Sequence, residues 1–178
     1  MDITTKTGDD GTTGLLYGGR VRKDSVLPTA YGEVDEAQSF LGVARAQCPR
    51  GGELDEMLIS IERDLWVLMA ELATLPENRH KLTPGKSAVT AQMVDELEAI
   101  GDRIGTRFEM PSEFVVPGQQ PVAAALDVAR AVVRRAERAS LAAASDGSHV
   151  VAYLNRLSDL LWTLARWQEG ESLTAREK

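Results

Sequence analysis

Apolar side chains recur along most of this chain at intervals of three and four residues, the period at which side chains share one face of an α-helix. The first stripe is Val34, Ala37, Leu41 and Ala44, and it follows Pro28, a residue suited to a first helical turn because its missing N–H is not needed there. The longest stripe runs through Leu54, Met57, Leu58, Ile61, Leu65, Leu68, Met69 and Leu72. A breaker-rich connection from Leu75 through Pro84, Gly85 and Ser87 separates it from a third stripe, Met93, Leu97, Ile100 and Ile104. A second break, around Pro111, Pro117, Gly118 and Pro121, precedes a fourth helix with Val122, Leu126, Ala129, Val133, Ala136 and Ser140 on one face. Asp146-Gly147-Ser148 then turns the chain into a fifth, through Val151, Leu154, Leu157, Leu161 and Leu164. No segment alternates convincingly as a strand. Five amphipathic helices with short connections predict an all-α fold, an antiparallel five-helix bundle with its core along the axis. Acidic residues of the second helix such as Glu53, Asp55, Glu56 and Glu62 read as its solvated face.

Residues 1–26 do not share this pattern. Gly8, Gly11, Gly14, Gly18 and Gly19 stand there among five threonines, a composition expected of loop or irregular turn. The expected organisation is one domain over residues 1–178: a loop segment at 1–26, the helical part at 27–170 and a flexible tail at 171–178. A length of 178 residues fits a single domain. With 20 Lys plus Arg against 27 Asp plus Glu the net charge is -7, which argues against general nucleic-acid binding. No apolar run approaches the roughly 20 residues of a membrane helix, and the first residues lack the pattern of a signal peptide. Cys48 is the single cysteine and forms no internal disulfide. These features predict a soluble, cytoplasmic protein. His80 and His149 are far apart without ligand-like spacing, no zinc motif is present, and no Ser-His-Asp or Cys-His pattern marks a side-chain nucleophile.

Three segments exceed what a plain bundle needs. In TKTGDDGTTG, Thr5 to Gly14, followed by GRVRK, Gly19 to Lys23, glycine backbone and threonine hydroxyls join Lys6, Arg20, Arg22 and Lys23. Such a loop can cradle a polyphosphate, although its spacing is not that of a Walker loop, and a mobile N-terminal tail has the same composition. On the fourth helix Arg130, Arg134, Glu137 and Arg138 fall at i, i+4, i+7 and i+8 and share a face. That face is either solvated or meets an anion that relieves the repulsion among its arginines. On the fifth, Asn155 and Asp159 lie four apart in YLNRLSDLLW, and Asp35, Glu36 and Ser39 make a similar patch on the first. Each patch calls for hydrogen-bond partners, from another helix or from a ligand.

In these segments the sequence resembles the PduO-type ATP:cob(I)alamin adenosyltransferases. TKTGDDGTTG, RVRKD, AYGEVDEAQSFLG, FVVPG, ARAVVRRAER and YLNRLSDLLW appear in the family's order and span residue 5 to about 168. The resemblance implies a five-helix bundle that assembles as a homotrimer, with active sites between neighbouring subunits. It implies a loop that wraps ATP, with Mg²⁺ held mainly by the phosphates and no metal site of the protein's own. By matching motif positions, Thr5, Lys6, Thr7, Gly8, Thr13 and Lys23 contact ATP, and Arg134, Glu137, Arg138 and Asn155 complete the site from the helices. Asp35 and Arg130 match the pair that ties subunits together beside the site. Phe114 matches the aromatic residue that shapes the corrin pocket, and with Arg134 it is expected to serve the reaction directly.

The implied activity is transfer of the 5′-deoxyadenosyl group from ATP to the cobalt of cob(I)alamin, giving adenosylcobalamin and triphosphate. A reductase and an adenosylcobalamin-dependent acceptor enzyme are the implied protein partners. The alternatives are a non-catalytic cobalamin carrier, a nucleotide-sensing trimeric bundle, or a purely structural oligomer. The family usually reads close to DELNS where this chain has Asp35-Glu36-Ala37-Gln38-Ser39, and Asp127 replaces a common histidine. The glycine-rich turn after Pro117-Gly118 continues here as Gln119-Gln120-Pro121. These departures border the expected corrin pocket more than the ATP loop.

Overall fold

The structure, a computed structural model, describes Thr4 and residues 6–176; Thr5 lies outside the described residues. It is mostly helical. A two-stranded antiparallel sheet, β1 (Thr12–Gly14) and β2 (Arg20–Arg22), precedes α1 (Val26–Arg45) and α2 (Glu53–Leu72). A 3₁₀ helix (Pro76–Lys81) leads to α3 (Ala91–Gly105), α4 (Pro121–Ser140) and α5 (Val150–Glu169). Helix α1 packs on α2 and α4, α4 on α5, and α5 on α3. No helix among the described residues is long and apolar enough to cross a membrane.

The apolar stripes become the core. Val34, Ala37, Leu41 and Ala44 of α1 are buried, as are Leu58, Ile61, Leu65 and Leu68 of α2. Full burial of one such leucine is worth about 1.5–3 kcal/mol, so this stripe, more than helix propensity, holds α2 in place. Two side-chain caps fix helix starts. Thr90 accepts from the Met93 N–H at 3.3 Å ahead of α3, and Gln120 accepts from the Ala123 N–H at 2.8 Å ahead of α4.

Several expectations need correction. The glycine-threonine segment is not wholly irregular: it forms a hairpin in which Thr12 pairs Arg22, Thr13 pairs Val21 and Gly14 pairs Arg20. Three-residue strands are too short to show alternation. Asp55 is buried rather than solvated, because it accepts from the Gly51 N–H at 2.8 Å and from Arg45 at 2.9 Å. The Gly51 bond, followed by Arg45, holds its carboxyl below the usual range. On α5 the inward position is Val150 rather than Val151. The expected tail is tied down in part, since Val115 and Thr174 form an antiparallel bridge and the Val116 N–H donates to Leu173 O at 2.8 Å.

Buried polar groups join the helices. Arg166 of α5 is 1 % exposed and donates to Asp127 of α4 at 2.6 Å, with Glu169 at 3.1 Å from its Nε. The Tyr153 hydroxyl donates to Asp64 of α2 at 3.0 Å. Burial pushes the Asp64 carboxyl up despite that hydrogen bond, and the Tyr153 phenol is raised well above its usual value, again mainly by burial.

Candidate functional site

The N-terminal segment folds around a cavity of about 590 Å³ lined by Lys6, Thr7, Gly8, Thr13, Lys23 and neighbours, all from residues 4–23. Arg20 shapes it: the guanidinium donates to the Thr7 carbonyl at 2.6 Å and to the Thr12 hydroxyl at 2.7 Å. Asp10 accepts from both the N–H and the hydroxyl of Thr12, which holds its carboxyl below the ordinary value. Arg22 pairs with Asp24 at 2.6 Å. Two of the four cations in the motif are therefore engaged in building the loop, while the ammonium groups of Lys6 and Lys23 have no hydrogen bond or ion pair among the described residues. A Cβ on Gly8 would lie 3.0 Å from Lys23 Nζ and 3.2 Å from the Thr12 carbonyl, so glycine lets the lysine close over the loop backbone. Lys6 itself has φ 56, a left-handed conformation uncommon for lysine. Ammonium groups, hydroxyls and loop backbone make a donor set suited to an anion such as polyphosphate.

The second cluster stands on the C-terminal half of α4 and the start of α5. Arg134 and Arg138 are exposed and have no hydrogen bond or ion pair among the described residues. Beside them the Asn155 amide donates to Glu137 at 3.1 Å, and Arg156 donates to the Asn155 oxygen at 2.8 Å. Arg135, by contrast, is neutralised by Glu33 and Glu36 of α1. Of Arg134, Arg135 and Arg138, one is thus spent on helix packing and two are left facing outward. The hairpin reaches the same end of the molecule. The Leu16 N–H donates to Ala73 O at 2.9 Å just after α2, and Glu71 of α2 accepts from Ser148 just before α5. The lining of the loop cavity nevertheless includes no residue of α4 or α5, so among the described residues of one chain the arginines do not border it.

Phe114 sits in the connection between α3 and α4 and is 89 % exposed. It borders a cavity of about 580 Å³ whose wall includes Asp127, Arg130, Trp162 and Arg166. The loop is braced from the C-terminus, where the Ala175 N–H donates to Phe114 O at 2.8 Å. A ring so open does not anchor the loop by packing on its own chain. Arg130 lies 3.6 Å from Asp127, and its Nε is buried without a hydrogen-bond partner.

Asp35 lies elsewhere. It lines a largely apolar depression with Leu16, Tyr31, Trp66 and Met69 between α1 and α2. The structure does not bring Asp35 and Arg130 together within one chain. Of the departing residues, Ala37 is core, Gln38 has a buried side-chain oxygen without a partner, and Asp127 neutralises Arg166. The Asp127–Arg166 pair escaped the sequence reading, although an arginine following Leu161, Leu164 and Ala165 on the inward face of α5 signals a buried counter-ion. Among the described residues no three His, Cys, Asp or Glu side chains gather as a metal site.

Known proteins resemble this chain along nearly its whole length. The family model for cobalamin adenosyltransferase matches residues 3–168. A corrinoid adenosyltransferase of Mycobacterium tuberculosis is 38 % identical over 97 % of this chain and 96 % of its own. One from Citrobacter freundii is 39 % identical over 94 % of each. Among solved structures, a variant PduO-type ATP:corrinoid adenosyltransferase from Lactobacillus reuteri, complexed with cobalamin and ATP, superposes with a TM-score of 0.87. It is 29 % identical and covers 98 % of this chain and 97 % of its own. Matched by the family model over residues 3–168 and by relatives 38 % and 39 % identical along nearly the whole of both chains, the chain belongs to the cobalamin adenosyltransferase family.

Proposed function

We propose that this protein transfers the 5′-deoxyadenosyl group of ATP to the cobalt of cob(I)alamin. The observation that carries the reading is a set of unneutralised cations, Lys6 and Lys23 in the loop and Arg134 and Arg138 on α4, in a chain of this family. In the reaction the Co(I) electron pair forms the cobalt–carbon bond to C5′. The C5′–O bond breaks, and its electron pair leaves on triphosphate. The nucleophile is the cobalt itself, so the protein's task is to align the two substrates and stabilise the leaving group.

In this proposal Thr5, Lys6, Thr7, Gly8, Thr13 and Lys23 hold the triphosphate from the loop. Arg134 and Arg138 meet it from α4, and Glu137 and Asn155, hydrogen-bonded to each other at 3.1 Å, complete the site from the helices. The positive donor set around the loop fits an anionic nucleotide better than a bare cation, so magnesium enters as the counter-ion of the phosphates. Phe114 borders the corrin, where an aromatic ring excludes water and the lower axial ligand. Losing that donor eases reduction of Co(II), because an axial donor stabilises the higher oxidation state. The antiparallel five-helix bundle assembles as a homotrimer in which Asp35 of one copy meets Arg130 of the next, joining the loop of one to the arginines of another. Work with strongly reduced cobalt belongs in a reducing compartment, the cytoplasm, with a reductase upstream and an adenosylcobalamin-dependent enzyme downstream.

The test is turnover with Mg·ATP and chemically reduced cob(I)alamin. The absorption change of a new cobalt–carbon bond should appear with one triphosphate per adenosyl group transferred. Binding of both ligands without that change would make the protein a carrier. No thermal stabilisation by Mg·ATP would leave only a structural bundle, since ligand at 100 times its dissociation constant adds about 2.7 kcal/mol.

A further inference from the structure

Glu71, in the last turn of α2, is 2 % exposed. One carboxylate oxygen accepts from Arg79 at 2.7 Å and from the Ser148 hydroxyl at 2.6 Å, and the other accepts from the Val89 N–H at 2.6 Å. A carboxylate buried this deeply is tolerated only when its oxygens are filled. The three donors come from different places: the 3₁₀ helix, the segment ahead of α3 and the turn ahead of α5.

The hairpin rests on the same patch. Its tip is held by the Leu16 N–H donating to Ala73 O at 2.9 Å and by the Tyr17 and Ser87 hydroxyls 3.3 Å apart. Gly19 has φ +92, a backbone conformation that L side chains rarely adopt, and a Cβ there would fall 2.5 Å from Leu75 Cδ1 and push that side chain aside. Ala73 follows Glu71 by two residues, and Ser87 precedes Val89 by two. Both anchor points of the hairpin therefore hang on segments that the Glu71 carboxylate holds. Between them Tyr17 keeps φ 62, a conformation that costs a tyrosine energy and persists only where its surroundings enforce it.

We propose that Glu71 is a positioning residue for the nucleotide, fixing the platform on which the hairpin sits and hence where Lys6, Thr13 and Lys23 stand. The same carboxylate, through Ser148, anchors the start of the helix that carries Asn155. The inference rests on the nucleotide site proposed above; the mechanical link between Glu71 and the hairpin does not.

Glu71→Gln tests it, because an amide nitrogen cannot accept the bond that one carboxylate oxygen now receives. In the nucleotide-free protein, hydrogen exchange across residues 12–22 should rise on the order of tenfold while exchange in α4 stays unchanged. The KM for ATP should rise on the order of tenfold with the KM for cobalamin unmoved. Ser148→Ala, which removes one of the three donors that hold the carboxylate, should shift both readouts the same way by less, and it carries the test if Glu71→Gln does not fold. Hairpin exchange at the wild-type level in both variants would overturn the proposal. So would a uniform loss of stability and activity with no split between the two KM values. A wild-type protein that binds no ATP would instead sink the nucleotide site, and the exchange data would still decide the link.

Discussion

Arg134 stands out on α4 because no carboxylate among the described residues neutralises it, whereas Arg135 next door is held by Glu33 and Glu36. An exposed, unpaired arginine contributes little to folding, so Arg134→Ala should change stability by no more than about 0.5 kcal/mol. A hydrogen bond from a charged donor to phosphate is worth about 1.5–3 kcal/mol, a loss of roughly tenfold or more in ATP handling when it is removed. Steady-state kinetics beside a thermal melt separate the two effects, and an ATP KM and turnover both at the wild-type level would remove Arg134 from the site. Lysine should restore only part of the function, because an ammonium supplies the charge without the planar two-point fork.

At the scale of elements, the loop bearing Phe114 is held open over a cavity by strand-like pairing to Leu173 and Ala175. A ring 89 % exposed has no packing role to lose. Phe114→Ala should therefore leave the melting temperature in place and impair adenosylation most when cob(II)alamin and a weak reductant are supplied. With chemically pre-reduced cob(I)alamin, which already lacks strong axial ligands, the loss should be smaller; equal losses would reduce the ring to a general contact. The helices around this loop were legible in the sequence because each stripe has the period of the face it buries, as in Val122, Leu126, Ala129 and Val133. The hairpin was not, since strands of three residues carry no period. Buried acids were not legible either. Asp55, Glu71 and Asp127 look like any solvated carboxylate until folding turns the Gly51 N–H, Arg79 or the distant Arg166 onto them. The site motifs were legible as residue types, but which cations stay unpaired depends on partners such as Asp24 and Glu33 that spacing alone does not pick out.

At the scale of the whole molecule, the described residues of one chain keep the glycine-threonine loop cavity and the outward arginines of α4 apart. The loop cavity is lined from residues 4–23 alone, Asp35 faces the α1–α2 depression, and Arg130 faces the Phe114 cavity. Pairing such unlike faces between copies is a heterologous contact, which closes into a ring when the rotation permits. In the homotrimer we propose, every site combines the loop of one copy with the α4 arginines of its neighbour. Asp35→Arg then sets like charge against Arg130 and should lower both the mass seen by light scattering and the turnover; a fully active wild-type monomer would contradict the shared site. Mixing gives a sharper test. Lys23→Ala and Arg134→Ala each damage every site of their own trimers. When the two variants are unfolded, mixed equally and refolded together, about one interface in four pairs an intact loop with an intact arginine helix, so activity should recover to about a quarter of wild type. If loop and arginines instead served the same site from one chain, every site in the mixture would still carry a lesion, and no recovery would be seen.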